Sequence, residues 1–501
     1  MNDLYDWFDY IAGKEWWANT GNVDATFENL EAQSRIDNTI FSTVLSAMRE
    51  EDTFNTTKIL VEVGELLAGW DTPKAIKRIN DLKDLHIYLL DKNHSDLSDR
   101  EVMREFIIDS FHWLLAIVSQ RDKEFVPSEE NDYCVKTKDW LISLKWFWEV
   151  FCAQFYKKLC DIRWIDIGLL DISSQSNPIV GQSSEEKTFS DALDFFREYI
   201  GDKLVSWKNL IIPGYIWWIQ WWIENAIWEG YSDATAALTA VTVKELLWED
   251  KRVLLEVLKS VRWIMTTDPR LLEWSEEVAQ VIREINFWVA KEIVWERGGQ
   301  AKLLNSFVTL PQVTQSWIEV RLRNPQIIGD KGTLISNNTP NKKGVEIVPW
   351  RQDIAIISMD SFSMSQWFIA KISTIIKKYT SVDVISTSET NYTFSVDMKS
   401  WAPKDRLEEM IQELEKTCLN KTGDVIIPYY NAGLIFCIGH DMNQPGIFEI
   451  AGAAMREAGI NTMIISQWAS QRALTIGVKD WNDVQKCVQL LHEKFELSKI
   501  S

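Results

Sequence analysis

The sequence predicts an α/β chain in two parts, a mixed region of short strands and helices over residues 1–340 followed by two small β-α-β-β-α units. Three observations carry this. Short β-rich apolar runs alternate with helical patterns through the first part. The segment 329–343, rich in Gly, Asn, Lys and Thr, reads as a linker. Beyond it the same order of elements occurs twice, over 345–424 and 425–501, which is the pattern of paired ferredoxin-like modules.

The repeat is the clearest part. Asp353–Met359 reads as a strand. Ser365–Tyr379 reads as a helix, with Phe368, Ile369, Ile372, Ile375 and Ile376 at helical spacing. Val382–Ser386 and Tyr392–Val396 read as strands around a polar turn, and Pro403–Thr417 as a charged amphipathic helix. In the second copy Leu434–Ile438 is a strand and Pro445–Ala458 a helix, with Pro445 near its first turn and Gly459 closing it. Met463–Ser466 and Ala473–Val478 are strands, and Asp483–Phe495 is the last helix. In the first part, 85–145 is charged and helical, an elaboration with no site motif.

Composition narrows the function. With 501 residues and 46% apolar content the chain can bury several cores. A net charge of -20 argues against a nucleic-acid partner, which needs a basic face, but not against ATP, which needs only local cations and backbone amides. The six cysteines form no Cys-x-x-Cys pair and have no zinc-ligand spacing with the five histidines, so they read as thiols in a reducing cytosol and no metal site is expected from them. Met1–Tyr10 has no signal-peptide core, and the apolar run Ile211–Ile223 is interrupted by Pro213, Gly214 and Gln220. A soluble cytoplasmic protein without a membrane partner is expected.

No Walker A motif is present. Other segments carry the chemistry. Pro213-Gly214-Tyr215-Ile216-Trp217 runs through to Trp228-Glu229-Gly230-Tyr231-Ser232-Asp233, followed by the small residues Ala234, Ala236 and Ala237. Trp263-Ile264-Met265-Thr266-Thr267-Asp268-Pro269-Arg270 follows. Upstream stand Lys14-Glu15-Trp16-Trp17-Ala18-Asn19, Val44-Leu45-Ser46-Ala47-Met48 and Trp148-Glu149-Val150-Phe151-Cys152. Downstream are Ala301-Lys302-Leu303-Leu304, Val382-Asp383-Val384-Ile385-Ser386-Thr387-Ser388-Glu389, Ala458-Gly459-Ile460-Asn461 and Met463-Ile464-Ile465-Ser466-Gln467. In this order the set resembles the aspartate kinase family over almost the whole chain. The resemblance implies an amino-acid-kinase domain, a three-layer α/β/α sandwich, over 1–340, followed by two ACT domains of βαββαβ form. It implies ATP, with Mg2+ carried on it, and phosphorylation of the L-aspartate side chain to 4-phospho-L-aspartate.

Residue by residue, the resemblance implies that Lys14 stabilises the transferring phosphoryl group and that Asp233 orients it. Ser46, Glu149, Glu229 and Ser232 fall on substrate-binding positions, with Glu149 gripping the substrate ammonium. Lys14, Trp16, Trp17, Thr266, Thr267, Asp268, Arg270 and Lys302 fall on nucleotide positions. Met364, Ser381, Asp383, Ser388 and Glu389 match positions for an amino-acid effector, lysine or threonine, at an ACT-mediated homodimer interface. Glu229 stands where the family has an arginine that binds a substrate carboxylate, and Asn305 where it has a histidine. Three readings therefore stand together: an aspartate kinase, a kinase for another small amino acid or carboxylate, and an amino-acid sensor without turnover.

Glycine and tryptophan are abnormal. The chain has 26 tryptophans and 21 glycines; glycine at 21/501, about 4%, is below the usual level of about 7%. Tryptophan occupies family glycine positions at 16, 17, 148, 217, 222, 228, 263 and 468, and by the same reading at 350 and 367. Glycines in such loops let backbone amides approach phosphate, often at positive φ, and an indole there would fill the cradle. A gene that reads UGA as glycine, translated here as tryptophan, accounts for the pattern; a protein genuinely rich in tryptophan is the alternative.

Overall fold

The computed structural model describes residues 8–15, 23–36, 39–45, 56–69, 71–124, 132–170, 193–194, 196–206, 209–214, 231–247, 251–258, 264–272, 279–295, 309–324, 327, 331–337, 344–360, 366–380, 382–388, 390–398, 404–418, 424–467 and 472–499. It divides into two compact units. Met1–Trp263 with Leu304–Ser336 form the first, and Ile264–Leu303 with Asn337–Ser501 the second.

The first unit is built on a mixed sheet. Its strands are β1 (Tyr10–Glu15), β2 (Ile40–Leu45), β3 (Gly168–Leu169), β4 (Asn209–Pro213), β5 (Val253–Leu258), β6 (Glu319–Arg323) and β7 (Thr333–Ile335). They lie in the order β3-β4-β2-β1-β5-β6-β7. The pairs from β3 to β6 are parallel, and β7 runs antiparallel to β6. Central parallel strands are covered on both faces, which is why β4 and β5 are mostly apolar and are buried at every position, Asn209 and Glu256 included.

Helix α1 (Val23–Ser34) packs beside β2. A helical layer follows: α2 (Thr56–Ala68), α3 (Thr72–Asn93), α4 (Leu97–Glu124) and α5 (Asp132–Ile162). It extends beyond the expected 85–145 at both ends, because α5 continues inward to pack on β2, β3 and β4. Phe111, Phe147, Trp148, Phe151 and Phe155 fill its core. Helix α6 (Tyr231–Leu246) lies on β1, β2 and β5; its Ala234, Ala236, Ala237 and Ala240 are buried, so the helix can approach the sheet closely.

In the second unit the two small modules share one antiparallel sheet. Its strands are β8 (Trp350–Asp360), β9 (Ile385–Thr387), β10 (Asn391–Asp397), β11 (Val425–Ile438), β12 (Thr462–Gln467) and β13 (Ala473–Val478), in the order β9-β10-β8-β11-β13-β12. Helices α7 (Gln366–Tyr379) and α8 (Lys404–Cys418) pack together, as do α9 (Ile447–Ala458) and α10 (Asn482–Lys494). These elements match the sequence reading closely. The longest strand differs: β11 starts at Val425, not Leu434, because its first half pairs with β8 and its second half with β13.

Residues 345–349 also behave differently from the expected module boundary. Val345 and Val348 join the core of α9 and α10, and Ile347 pairs with Ile438. The first module is thus threaded between two parts of the second. The segment from Ile264 to Leu303, expected within 1–340, belongs to this unit as well; the Val348 amide donates to Thr266 O, and the Thr267 hydroxyl donates to Val348 O.

Two tryptophans stand in conformations that suit glycine. Trp164 has φ 56° and Trp317 has φ 55°. Each ends a helix in a Schellman motif: the amide of Ile165 reaches Cys160 O and that of Trp164 reaches Asp161 O, while Ile318 reaches Val313 O and Trp317 reaches Thr314 O. Gly459, at φ 72°, does the same after α9, with its own amide on Arg456 O and that of Ile460 on Met455 O. The indoles gain nothing there, since Trp164 is 95% exposed and Trp317 72% exposed.

Candidate active site

The carboxyl ends of parallel strands, next to helix N-termini, are where such sheets bind anionic ligands. Lys14 comes from the end of β1, between β2 and β5. Its side chain is buried, and its Nζ lies 2.8 Å from Oδ1 of Asp233, also buried, in the first turn of α6. Burying a lysine requires a partner of opposite charge. Here that partner fixes the ammonium at the helix start, where the backbone dipole adds to its positive field.

Gly214, immediately after β4, is the meeting point of the remaining residues. A Cβ on it would lie 2.7 Å from Glu149 Oε2, 2.8 Å from Leu45 O and 2.8 Å from the Ser232 Cβ. Its amide donates to Leu45 O at 3.0 Å, and Thr235 Oγ1 donates to its carbonyl at 2.6 Å. Glu149 reaches this point from α5, and Ser232 from the first turn of α6. Lys14 and Asp233 are thus joined as a pair, and Glu149 and Ser232 converge on Gly214, all within the first unit. A fixed cation, a helix N-terminus and a carboxylate form a donor set suited to an anionic phosphoryl group beside an ammonium-bearing substrate.

Two features of this unit were not read from the sequence. Glu256 on β5 is buried against Arg323 on β6, with Nε 3.2 Å from Oε1. Tyr10 and Ser42 share a buried hydrogen bond between β1 and β2. Both are pairs across neighbouring strands that only the register reveals.

Trp148 fits its expected glycine role least. It lies inside α5, buried, with its ring stacked on His86 at 4.9 Å. Its indole N–H nevertheless has no acceptor, and neither does that of Trp350.

The loop Thr266–Arg270 lies in the second unit. Thr266, Thr267 and Asp268 are buried. The Thr267 hydroxyl donates to Val348 O at 2.8 Å, and Thr266 Oγ1 lies 2.9 Å from His492 Nε2. Arg270 is held by Asp268, its Nε 2.9 Å and 3.0 Å from the two carboxylate oxygens. The threonine hydroxyls are therefore turned to protein partners, and the role of His492 was not read from the sequence.

Of the effector positions, Asp383 is engaged by buried Arg351, whose Nη1 lies 3.1 Å away while its Nη2 lies 2.7 Å from Asp397. Ser388 Oγ accepts from the amides of Thr390 and Asn391, shaping the turn between β9 and β10. Trp16, Trp17, Ser46, Glu229, Lys302, Met364, Ser381 and Glu389 lie outside the described residues.

No protein-family model matches the chain. Individual relatives do. The chain is 24% identical to Aspartokinase 2, chloroplastic, of Arabidopsis thaliana over 498 residues, covering 94% of this chain and 82% of that protein. It is 27% identical to the aspartokinase of Saccharomyces cerevisiae over 378 residues, covering 69% of this chain and 67% of the yeast protein. Both relatives are aspartate kinases, and the chain is similar to them over most of its length. Its fold agrees. E. coli aspartokinase III, solved in complex with aspartate and ADP, superposes with a TM-score of 0.66 at 20% identity, covering 97% of this chain and 99% of that one. Clostridium acetobutylicum aspartate kinase superposes with a TM-score of 0.67 at 15% identity, covering 97% and 100%. The fold of this chain is therefore that of these proteins, an amino-acid-kinase-type domain followed by ACT-type modules.

Among the described residues, no helix is long and apolar enough to cross a membrane, and no cluster of three or more His, Cys, Asp or Glu could hold a metal ion. Cys160, Cys437 and Cys487 are buried thiols outside any disulfide, and burial pushes each of them up to about 12.

Proposed function

We propose that the chain transfers the γ-phosphoryl group of ATP to the side-chain carboxylate of L-aspartate, forming 4-phospho-L-aspartate and ADP. The observation that carries this is the buried Lys14–Asp233 pair at the end of β1 and the start of α6. One aspartate carboxylate oxygen attacks the γ-phosphorus, and the bond to the β-phosphate oxygen breaks as ADP leaves. Lys14 neutralises charge on the transferring oxygens, and Asp233 keeps its ammonium in place. Glu149 takes the substrate ammonium, and Ser232 offers a hydroxyl beside it. Mg2+, carried on the nucleotide, would supply further neutralisation of the phosphate charge. The donor set around Lys14 fits such a phosphate, while the described acidic residues form no separate cage for the metal. Thr266, Thr267, Asp268, Arg270 and Lys302 serve the nucleotide, the first three through the backbone and shape of their loop.

The ACT-type pair takes an amino-acid effector, lysine or threonine, across a homodimer. Exposed Ile385, Val425 and Ile427 on its sheet are apolar side chains suited to a second copy. The buried thiols suit a cytoplasmic enzyme. The working enzyme carries glycine at the motif tryptophans, including 16, 17, 217, 222 and 228, because three indoles in one phosphate cradle would fill it; the left-handed Trp164 and Trp317 support the same exchange.

Two forms of the full chain test this reading, one as printed and one with glycine at those five positions. Aspartate-dependent ADP release, trapped as the hydroxamate with hydroxylamine, is expected from the glycine form. If the glycine form binds ATP yet shows no aspartate-dependent turnover, the catalytic reading is wrong and an amino-acid sensor remains.

A further inference from the structure

The loop Thr266–Arg270 is clasped by the end of the chain. The Val348 amide donates to Thr266 O at 2.8 Å, and the Thr267 hydroxyl donates back to Val348 O at 2.8 Å. Immediately after the loop, Leu271 O accepts from Gln489 Nε2 at 2.8 Å and from Gln485 Nε2 at 3.4 Å. His492 Nε2 lies 2.9 Å from Thr266 Oγ1. Gln485, Gln489 and His492 are spaced i, i+4, i+7 on α10, so one stripe of that helix is given to this loop.

The stripe is polar and runs from exposed Gln485 through half-buried Gln489 to buried His492, the one polar side chain among the buried Val484, Cys487, Val488 and Leu491 of α10. Hydrogen bonds add what apolar contact does not, a fixed orientation of the partner. Thr266 Oγ1 already accepts the Gln280 amide at 3.0 Å, which leaves its own proton to give to a ring nitrogen. Burial holds the His492 imidazole down at about 4, so the ring is neutral at physiological pH and can accept that proton.

We propose that His492, with Gln489, is a positioning residue that holds the Thr266–Arg270 loop in its nucleotide-binding shape, so that ATP affinity depends on the last helix of the C-terminal module. This rests on the reading of that loop as the nucleotide's. Neither side chain touches the reacting atoms. Thr266 and Thr267 are oriented through their side chains toward Val348 and His492, and their backbone is thereby fixed for the ligand.

The test uses three full-length variants, His492→Leu, His492→Gln and Gln489→Leu, in the glycine form defined above. Gln at 492 returns a side-chain carbonyl oxygen that can accept the Thr266 proton close to the place of Nε2. Hydrogen–deuterium exchange is read over 264–272, with α8 as the internal reference. His492→Leu should speed exchange in the loop about tenfold, the effect of losing one buried hydrogen bond, with α8 unchanged. It should also raise KM for ATP about tenfold while KM for aspartate and kcat stay within about twofold. His492→Gln should restore most of both effects, which a purely structural role would not require. Should His492→Leu fail to fold, Gln489→Leu carries the same comparison at a partly buried helix position. Unchanged exchange in the loop, or KM for both substrates rising together, overturns the proposal. Faster loop exchange with unchanged ATP affinity also overturns it, and shows that the loop is clasped but not the nucleotide's. Persistent aspartate-dependent turnover in that case leaves the kinase reading standing.

Discussion

Trp164→Gly and Trp317→Gly should stabilise the protein, although each removes the largest side chain there is. The left-handed conformation costs an L-residue with a Cβ about 1–2 kcal/mol and costs glycine almost nothing. Glycine gives part of this back through the greater entropy of its unfolded chain, leaving a gain of about 1 kcal/mol per site. No burial is lost, since the two indoles are 95% and 72% exposed, and both Schellman hydrogen-bond pairs run through backbone atoms that the exchange keeps. The sites follow different helices and share no partner, so the effects should add to about 2 kcal/mol. For a unit of this size that is a rise in melting temperature of about 3 °C. Thermal unfolding of the full chain followed by circular dichroism reads it directly.

The same exchange at Trp148 should have the opposite sign in this packing. That indole is buried against His86, Phe111 and Phe147, and its removal leaves a cavity worth about 3–5 kcal/mol, inside a helix where glycine costs about 1 kcal/mol more. A loss of stability from Trp164→Gly and Trp317→Gly would refute the conformational reasoning. The codons at positions 16, 17, 164, 217, 222, 228 and 317 decide the origin independently. UGA at these positions, with glycine found by peptide mass spectrometry of the natural protein, is the expected result, and UGG sinks the idea.

Four further outcomes are expected. Lys14→Met should lower kcat at least about 100-fold in the hydroxamate assay, as loss of a preorganised positive charge does, whereas a change of less than tenfold would remove Lys14 from the chemistry. Gly214→Ala places a methyl 2.7 Å from Glu149 Oε2 and 2.8 Å from Leu45 O, so it should cost about 1–3 kcal/mol in stability and raise KM for aspartate more than KM for ATP. Arg351→Met strips the cation from Asp383 and Asp397 and should destabilise the second unit by about 3–5 kcal/mol, seen as earlier unfolding in urea. His86 and His492 are both held down at about 4 by burial, below the 6.5 of an unfolded histidine. Their contribution is present above pH 6.5 and is lost as pH falls toward 4, so stability should drop by about 3 kcal/mol per histidine across that window, and His492→Gln should remove one share of the drop.

What the sequence disclosed and what it withheld follow from the range of the interactions. The C-terminal elements were legible almost to the residue because each is a local pattern: Ile372, Ile375 and Ile376 repeat at helical spacing, and Gly459 marks a helix end by its own backbone freedom. The extra length of β11 was missed because Pro428 interrupts the β-forming run Val425–Tyr430, and its first half is held as strand by pairing with β8. The candidate site was legible as separate motifs, Lys14, Glu149, Gly214 and Ser232-Asp233, since each keeps its neighbours. Their convergence was not, because it depends on parallel register across β1, β2 and β4. The buried Trp148 shows a third limit. A motif can assign a residue type to a position, but the packing of α5 decides what volume that position has to fill. His492 lies furthest beyond sequence reasoning. Its partner Thr266 is 226 residues away, and a single histidine on a helix carries no mark of what it faces. A side chain that acts by holding another segment in place is defined by that segment, so its function exists only in the folded chain.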